Sequence, residues 1–261
     1  IELRDATPYE EYPLIGINQA HFVGLHTSSY AKEGMTPQIY FEWEIGQHHA
    51  AQDANNGGDD DDEPAAEQLD VARFERAVNR FILRHMTFRS IICSNGKMKV
   101  LEKPPKFVIE NVHEWTGDAD ESARVSAINR KEMMEFGPSA YGWPLFEIRV
   151  THTGPNLSLI HITVSLFLMD AMSDLILRQE LSAMYRADPS VDMEAVLPTP
   201  SRVQFKDYCM ALDTKLASSD EYMRAKEYWV KRIPTLSGSP ELPVMPRSVN
   251  GKSKEDENLT G

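Results

Sequence analysis

Residues 159–170, Leu-Ile-His-Ile-Thr-Val-Ser-Leu-Phe-Leu-Met-Asp, carry the side chains whose types and spacing come nearest to a reaction centre. His161, Thr163 and Ser165 alternate with Ile160, Ile162 and Val164. On a strand of period two the polar three share one face and the apolar three the other. The apolar face belongs to the core, and His161 and Thr163 are expected to line a cleft or tunnel. Asp170 follows an apolar turn and stands where a helix begins, a place that favours a carboxylate. Ser165 as a nucleophile would need a base beside it, and no Gly-x-Ser-x-Gly elbow surrounds it. His161 is four residues away, ~13 Å along a strand, which is too far for direct proton transfer. The segment therefore reads as polar lining that ends at a helix start, with Asp170 placed to meet the helix N-terminus and a candidate general base by residue type alone.

Metal chemistry has one other candidate. His48-His49 lie in a stretch with Asp59-Asp60-Asp61-Asp62-Glu63. Adjacent histidines lack the spacing of a built site, so no metal is expected. Cys93 and Cys209 are the only cysteines. Two cysteines so far apart make no disulfide framework and point to reduced thiols in the cytoplasm.

Several elements must position these groups. Gln38–Ile45 and Phe107–Val112 read as strands. Ser90–Cys93 and Met98–Leu101 form a hairpin around Ser94-Asn95-Gly96. Leu145–His152 and Leu157–Phe167 are two further strands joined by Thr153-Gly154-Pro155-Asn156. Asp70 caps a helix to about His85, with Val71, Phe74, Ala77, Val78, Phe81 and Ile82 on one stripe. Asp120–Glu135 is a second amphipathic helix, with Ala123, Val125, Ile128 and Met133 expected inward. Ala171–Arg186, Phe205–Leu216 and Glu221–Ile233 are helices too. Trp43, Trp143, Phe81 and Phe146 read as core, and His85 as a structural helix-end histidine. The order mixes strands and helices, so α/β or α+β layers are expected. Residues 46–68, with acids beside Gly and Asn, read as a disordered acidic loop. Residues 1–233 read as the folded part, and 234–261, Pro- and Ser-rich and then charged, as a linker or truncated edge.

The formal net charge of -13 disfavours nucleic acid and anionic membranes as partners. No apolar run reaches the ~20 residues of a membrane span. The start, Ile1-Glu-Leu-Arg-Asp, lacks the regions of a signal peptide and suggests a piece of something larger.

Six segments, in order, resemble the condensation domains of nonribosomal peptide synthetases. They are Tyr12-Pro-Leu-Ile-Gly-Ile-Asn-Gln-Ala-His-Phe-Val-Gly24, Arg84-His-Met-Thr-Phe-Arg89, Trp143-Pro-Leu-Phe-Glu-Ile-Arg149, Ser165-Leu-Phe-Leu-Met-Asp170, Phe205-Lys-Asp-Tyr208 and Leu236-Ser-Gly-Ser-Pro-Glu-Leu-Pro243. Condensation domains carry His-His-x-x-x-Asp-Gly at the fourth segment, and heterocyclization domains carry Asp-x-x-x-x-Asp. Here Ser165 and Leu166 stand in the histidine positions, and Ser165 also replaces the first Asp. The flanks and the last segment look more like the heterocyclization subtype.

The resemblance implies the N-terminal lobe of a V-shaped pair of chloramphenicol-acetyltransferase-like lobes. Carrier (thiolation) domains would deliver thioesters to a tunnel between the lobes, and neighbouring megasynthase domains would be the other partners. The phosphopantetheine belongs to the carrier, so no cofactor is expected on the lobe. The reaction implied joins an acyl thioester to a Cys, Ser or Thr thioester and closes a thiazoline or oxazoline. Its polar residues would lie in the second lobe, so this chain is expected to be inactive alone. A non-catalytic docking module is the alternative. Asp170 would be paired with Arg84 or Arg89, and breaking such a pair from one side costs ~3–5 kcal/mol.

Overall fold

The computed structural model describes residues 9–27, 36–46, 68–140, 142–188, 190–191, 193–215 and 218–238. The interior of the acidic loop, with His48 and His49, lies outside the described residues, as do 239–261. The chain forms two compact units, Ile1–Ala217 and Ser218–Gly261, so the division falls ahead of the last helix.

The first unit runs β1 (Glu11–Pro13), α1 (Ile17–Thr27), β2 (Gln38–Gly46), α2 (Val71–Arg84), β3 (Ser90–Ile92), β4 (Lys97–Val100), β5 (Val112–His113), α3 (Ala119–Glu135), β6 (Phe146–Gly154), β7 (Leu157–Ser165), α4 (Ala171–Arg186), α5 (Met193–Val196) and α6 (Phe205–Lys215). Its larger sheet has the order β2-β7-β6-β5 and its smaller one β1-β4-β3. This is the mixed α/β arrangement expected. In the larger sheet β7 is central, antiparallel to β2 and β6, while β5 joins β6 in parallel.

Register explains the two faces of that sheet. Ile160, Ile162 and Val164 stand opposite Trp43, Phe41 and Ile39 on one side and Val150, Ile148 and Phe146 on the other. This apolar face meets Val78, Phe81 and Ile82 of α2 and Leu177 and Leu181 of α4. Full burial of a side chain such as Phe81 or Ile162 contributes ~1.5–3 kcal/mol. Phe88, Phe107 and Phe146 extend the core as ring neighbours, with centroids 4.9 to 5.6 Å apart. Phe81 and Phe146 are buried as expected, whereas Trp43 and Trp143 are only partly buried at the margin.

Two expectations about elements change. Residues 107–111 form no strand, because α2 claims their backbone donors. Asn79 Oδ1 accepts from Phe107 N at 2.9 Å, and Glu75 Oε2 accepts from Ile109 N at 3.2 Å. Helix α3 buries Ser122, Ser126, Asn129 and Met133, while Ala123 and Ile128 face outward. The reason is the surface it covers. Helix α3 lies against β6 and β7 on the polar side of the sheet, where Asn129 Nδ2 finds Thr151 Oγ1.

Gln38 fastens the end of α3. Its Nε2 donates to the carbonyls of Met133 and Met134, both at 3.1 Å. A Cβ on Gly137 would fall 1.3 Å from Gln38 Oε1, so any larger residue there must displace the Gln38 amide from its partners.

The second unit contains α7 (Asp220–Arg232), capped by Ser219 Oγ, which accepts from Tyr222 N at 3.1 Å. Asp220 and Glu221 in its first turn and Lys231 and Arg232 in its last complement the helix dipole.

Candidate functional site

The Ser165–Asp170 segment is a strand, turn and helix junction. Ser165 closes β7, and its N–H donates to Leu145 O at 2.9 Å. Leu168 N then turns back to Ser165 O at 2.9 Å, and Phe167 N donates to Ser165 Oγ at 3.3 Å. Ser165 is fully buried, and its hydroxyl serves the turn. Phe167, Leu168 and Met169 insert into the core behind it. The His21 ring of α1 stands edge-on to Phe167 at 5.8 Å.

Asp170 is exposed and caps α4. Its Oδ1 accepts from Ser173 N at 2.9 Å and Ser173 Oγ at 2.7 Å, while Ser173 Oγ lies 3.3 Å from Asp170 N. This reciprocal capping box satisfies backbone donors at the helix start. The Ser173 hydroxyl, followed by its backbone N–H, holds the Asp170 carboxyl below its ordinary value. The group is therefore a carboxylate near neutral pH. On the next turn Met172, Leu175 and Ile176 face outward, an apolar rim beside the cap.

The expected pairing of Asp170 with Arg84 or Arg89 is corrected by the geometry. Arg84 Nε donates to Glu180 Oε2 at 3.0 Å, and its terminal nitrogen reaches Pro198 O at 2.5 Å. His85 Nε2 meets the same Glu180 oxygen at 2.6 Å. Arg89 lies over the Tyr9 ring at 5.9 Å, and its Nε has no partner among the described residues. The physical reason is position along α4. Glu180 projects from its middle, toward the end of α2. Asp170 sits ten residues earlier, ~15 Å along the axis.

The polar face of β7 is also placed differently from expectation. His161 and Thr163 are fully buried beneath α3 and line no open cleft among the described residues. Tyr40 donates its hydroxyl hydrogen to Glu42 Oε1. The Tyr40 oxygen also lies 2.8 Å from His161 Nδ1, and Glu42 Oε1 lies 3.3 Å from it. On the other side of the ring, Thr151 Oγ1 is 3.2 Å from Nε2. Asn129 Nδ2 donates to Thr151 Oγ1 at 3.2 Å and Asn129 Oδ1 accepts from Arg149 at 3.1 Å. Arg130 grips Glu42 with two bonds of 2.8 Å, and Arg149 binds Glu132 at 2.6 Å and Glu147 at 2.7 Å. Thr163 donates to Gln38 Oε1 at 3.1 Å.

Burial lowers the His161 imidazole despite Glu42, with Arg130 and Arg149 acting in the same direction as burial. Burial opposes ionisation of Glu42, but the Arg130 and Tyr40 hydrogen bonds prevail and hold its carboxyl low. Sequence reasoning missed this network because the buried stripe of α3 above it is Ser122, Ser126 and Asn129 rather than apolar residues. The signal available was their spacing of three and four.

A groove of ≈ 430 Å³ lies elsewhere, between the C-terminal half of β2 and α4, lined among others by Trp43, Phe74, Arg178, Tyr185 and Arg186. Arg178 stacks over Trp43 at 5.0 Å there. Among the described residues no three His, Cys, Asp or Glu side chains are grouped to hold a metal ion. No described helix is long and apolar enough to cross a membrane.

The sequence profile of the condensation domain matches residues 64–260. Bacitracin synthase 1 of Bacillus licheniformis is 23% identical over 239 residues, which are 90% of this chain and 4% of that protein. Pyochelin synthetase PchF of Pseudomonas aeruginosa (strain PAO1) is 26% identical over 238 residues, 90% of this chain and 11% of that one. The solved cyclization-docking bidomain of the EpoB nonribosomal peptide synthetase from Sorangium cellulosum has the same fold. It superimposes with a TM-score of 0.71 at 20% identity, over 96% of this chain and 45% of its own. The chain thus spans a small part of these curated synthetases and under half of the bidomain.

Proposed function

The chain belongs to the condensation-domain family, and from that premise we propose that it forms the N-terminal lobe of a heterocyclization-type condensation domain. The carrying observation is the junction itself. Ser165-Leu-Phe-Leu-Met-Asp170 occupies a strand, turn and helix start, in a chain whose fold follows a cyclization bidomain over 96% of its length. In this reading the lobe supplies one wall of the site to which carrier domains bring thioesters on their own phosphopantetheine. Asp170 orients α4, whose outward Met172, Leu175 and Ile176 contribute apolar wall. The chemistry of dehydration comes from outside this lobe, because Ser165 is spent on its turn and buried.

That same burial favours one second reading, a docking module of a megasynthase that performs no chemistry. The test compares the parent synthetase with the 261-residue chain alone. Each is mixed with carrier domains loaded with an acyl group and with cysteine, and the carriers are weighed intact. The parent is expected to join the two groups and then lose one water, and the lone chain to do neither. Joining without water loss in the parent would overturn the heterocyclization assignment. No joining at all would leave the docking module as the better account.

A further inference from the structure

We propose that α3 is a proton-sensitive cover of the sheet, held shut by neutral His161 and released ahead of the rest of the fold when that imidazole takes up a second proton. The inference rests on the inter-layer network and stands independently of the family chemistry.

Helix α3 is attached unlike its neighbours. Helix α2 buries Phe74, Ala77, Val78, Phe81 and Ile82, and α4 buries Leu177, Leu181 and Met184. Helix α3 buries Ser122, Ser126, Asn129 and a single large apolar side chain, Met133. Hydrogen bonds and ion pairs hold it instead: Asn129 on Thr151, Arg130 on Glu42, Glu132 on Arg149 and Gln38 on its last carbonyls. Elements with little apolar contact are the first to open locally.

His161 sits at the centre of that contact, and its partners define one proton arrangement. The Tyr40 hydrogen goes to Glu42. His161 Nδ1 must therefore carry a hydrogen and donate it toward Tyr40 Oη and Glu42 Oε1. Thr151 Oγ1 already accepts from Asn129, so its own hydrogen is free for His161 Nε2. Every group is satisfied with the ring neutral. A second proton, on Nε2, would aim a donor at the Thr151 hydroxyl hydrogen and force it to rotate away. The contact then reverses, Nε2 donating to Thr151 Oγ1, and the threonine hydrogen is left without His161 as acceptor in a place where unmet polar groups are costly.

The charged surroundings do not offset this. Facing the ring are Tyr40 and Glu42 from β2, Arg149 and Glu147 from β6, and Arg130 and Glu132 from α3. Glu42 favours the imidazolium, but it is already held by Arg130 through two bonds, and Glu132 and Glu147 are both held by Arg149. Burial and the two guanidiniums keep the proton off the closed state. When α3 opens, the ring regains its ordinary affinity, near 6.5. Falling pH therefore favours opening. The opening constant rises between pH 7.5 and 5.5, by up to about tenfold.

Hydrogen–deuterium exchange of the 261-residue chain, corrected for the intrinsic effect of pH on exchange, reads this directly. Amides of residues 119–135 are expected to lose protection between those pH values, by up to about tenfold, while 71–84 and 171–186 hold theirs. In His161→Gln, which keeps an acceptor and a donor but cannot titrate, the difference should vanish. Unchanged α3 protection in the wild type would overturn the proposal. So would simultaneous loss in α2, α3 and α4, or a folded His161→Gln with the full pH effect. If that variant does not fold, the wild-type imidazole is followed by NMR. Protonation in step with α3 exchange supports the proposal, and protonation with α3 still closed refutes it.

Discussion

Replacing Asp170 by alanine separates two accounts of the junction by their magnitudes. The substitution removes one oxygen that accepts from both Ser173 N and Ser173 Oγ. Loss of an N-cap acceptor costs ~0.5–2 kcal/mol, typically ~1. Loss of a carboxylate at an exposed helix N-terminus adds ~0.3–1 kcal/mol. With the typical cap cost, the sum is about 1.3–2 kcal/mol. An Asp170 buried against an arginine would instead cost ~3–5 kcal/mol. The urea midpoint should fall with the slope unchanged, so that the loss is one of stability rather than of the state being unfolded. Asp170→Asn keeps an acceptor and should recover most of the loss. The Asp170 carboxyl is held low in the folded protein. The advantage of Asp over Asn is therefore complete above the unfolded value near pH 4, and it shrinks as pH falls through the lower folded one. A loss of 3 kcal/mol or more, or none, would refute the capping account.

Two further substitutions test how the layers are fastened. Glu180→Ala strips the shared partner from Arg84 and His85 and should cost more than Asp170→Ala. About 3 kcal/mol is expected, at the low end for a broken buried pair because Arg84 and Glu180 are only part-buried and Arg84 keeps Pro198 O; urea midpoints measured side by side give the order. Gly137→Ala drives a methyl into the Gln38 side chain and should destabilise by ~1–3 kcal/mol. Exchange at the C-terminal end of α3 should rise first in that variant.

Much of the frame was legible because it rests on periodicity. The alternation from Leu159 to Ser165 yields β7, and the stripe from Phe74 to Ile82 yields α2 with the burial expected. Alternation shows only that two faces differ, however. It does not say whether a polar face meets solvent, a cleft or another polar surface. Here it meets α3, whose inward stripe of Ser122, Ser126 and Asn129 carries no apolar signal. Spacing of three and four was present, but in residue types more often found at caps and turns. Ion-pair choice was illegible for a different reason. Arg84 and Glu180 are 96 residues apart, and both Asp170 and Glu180 lie on the same helix. Which acid reaches the arginine depends on how α4 crosses α2. The same distinction governs the Ser165–Asp170 junction. Sequence located it, because strand, turn and cap each leave a local mark. Its chemistry depended on burial and partners, which turn Ser165 inward and spend Asp170 on Ser173. Local pattern thus locates such a junction, while the partners of Ser165 and Asp170 are legible only in the packed fold.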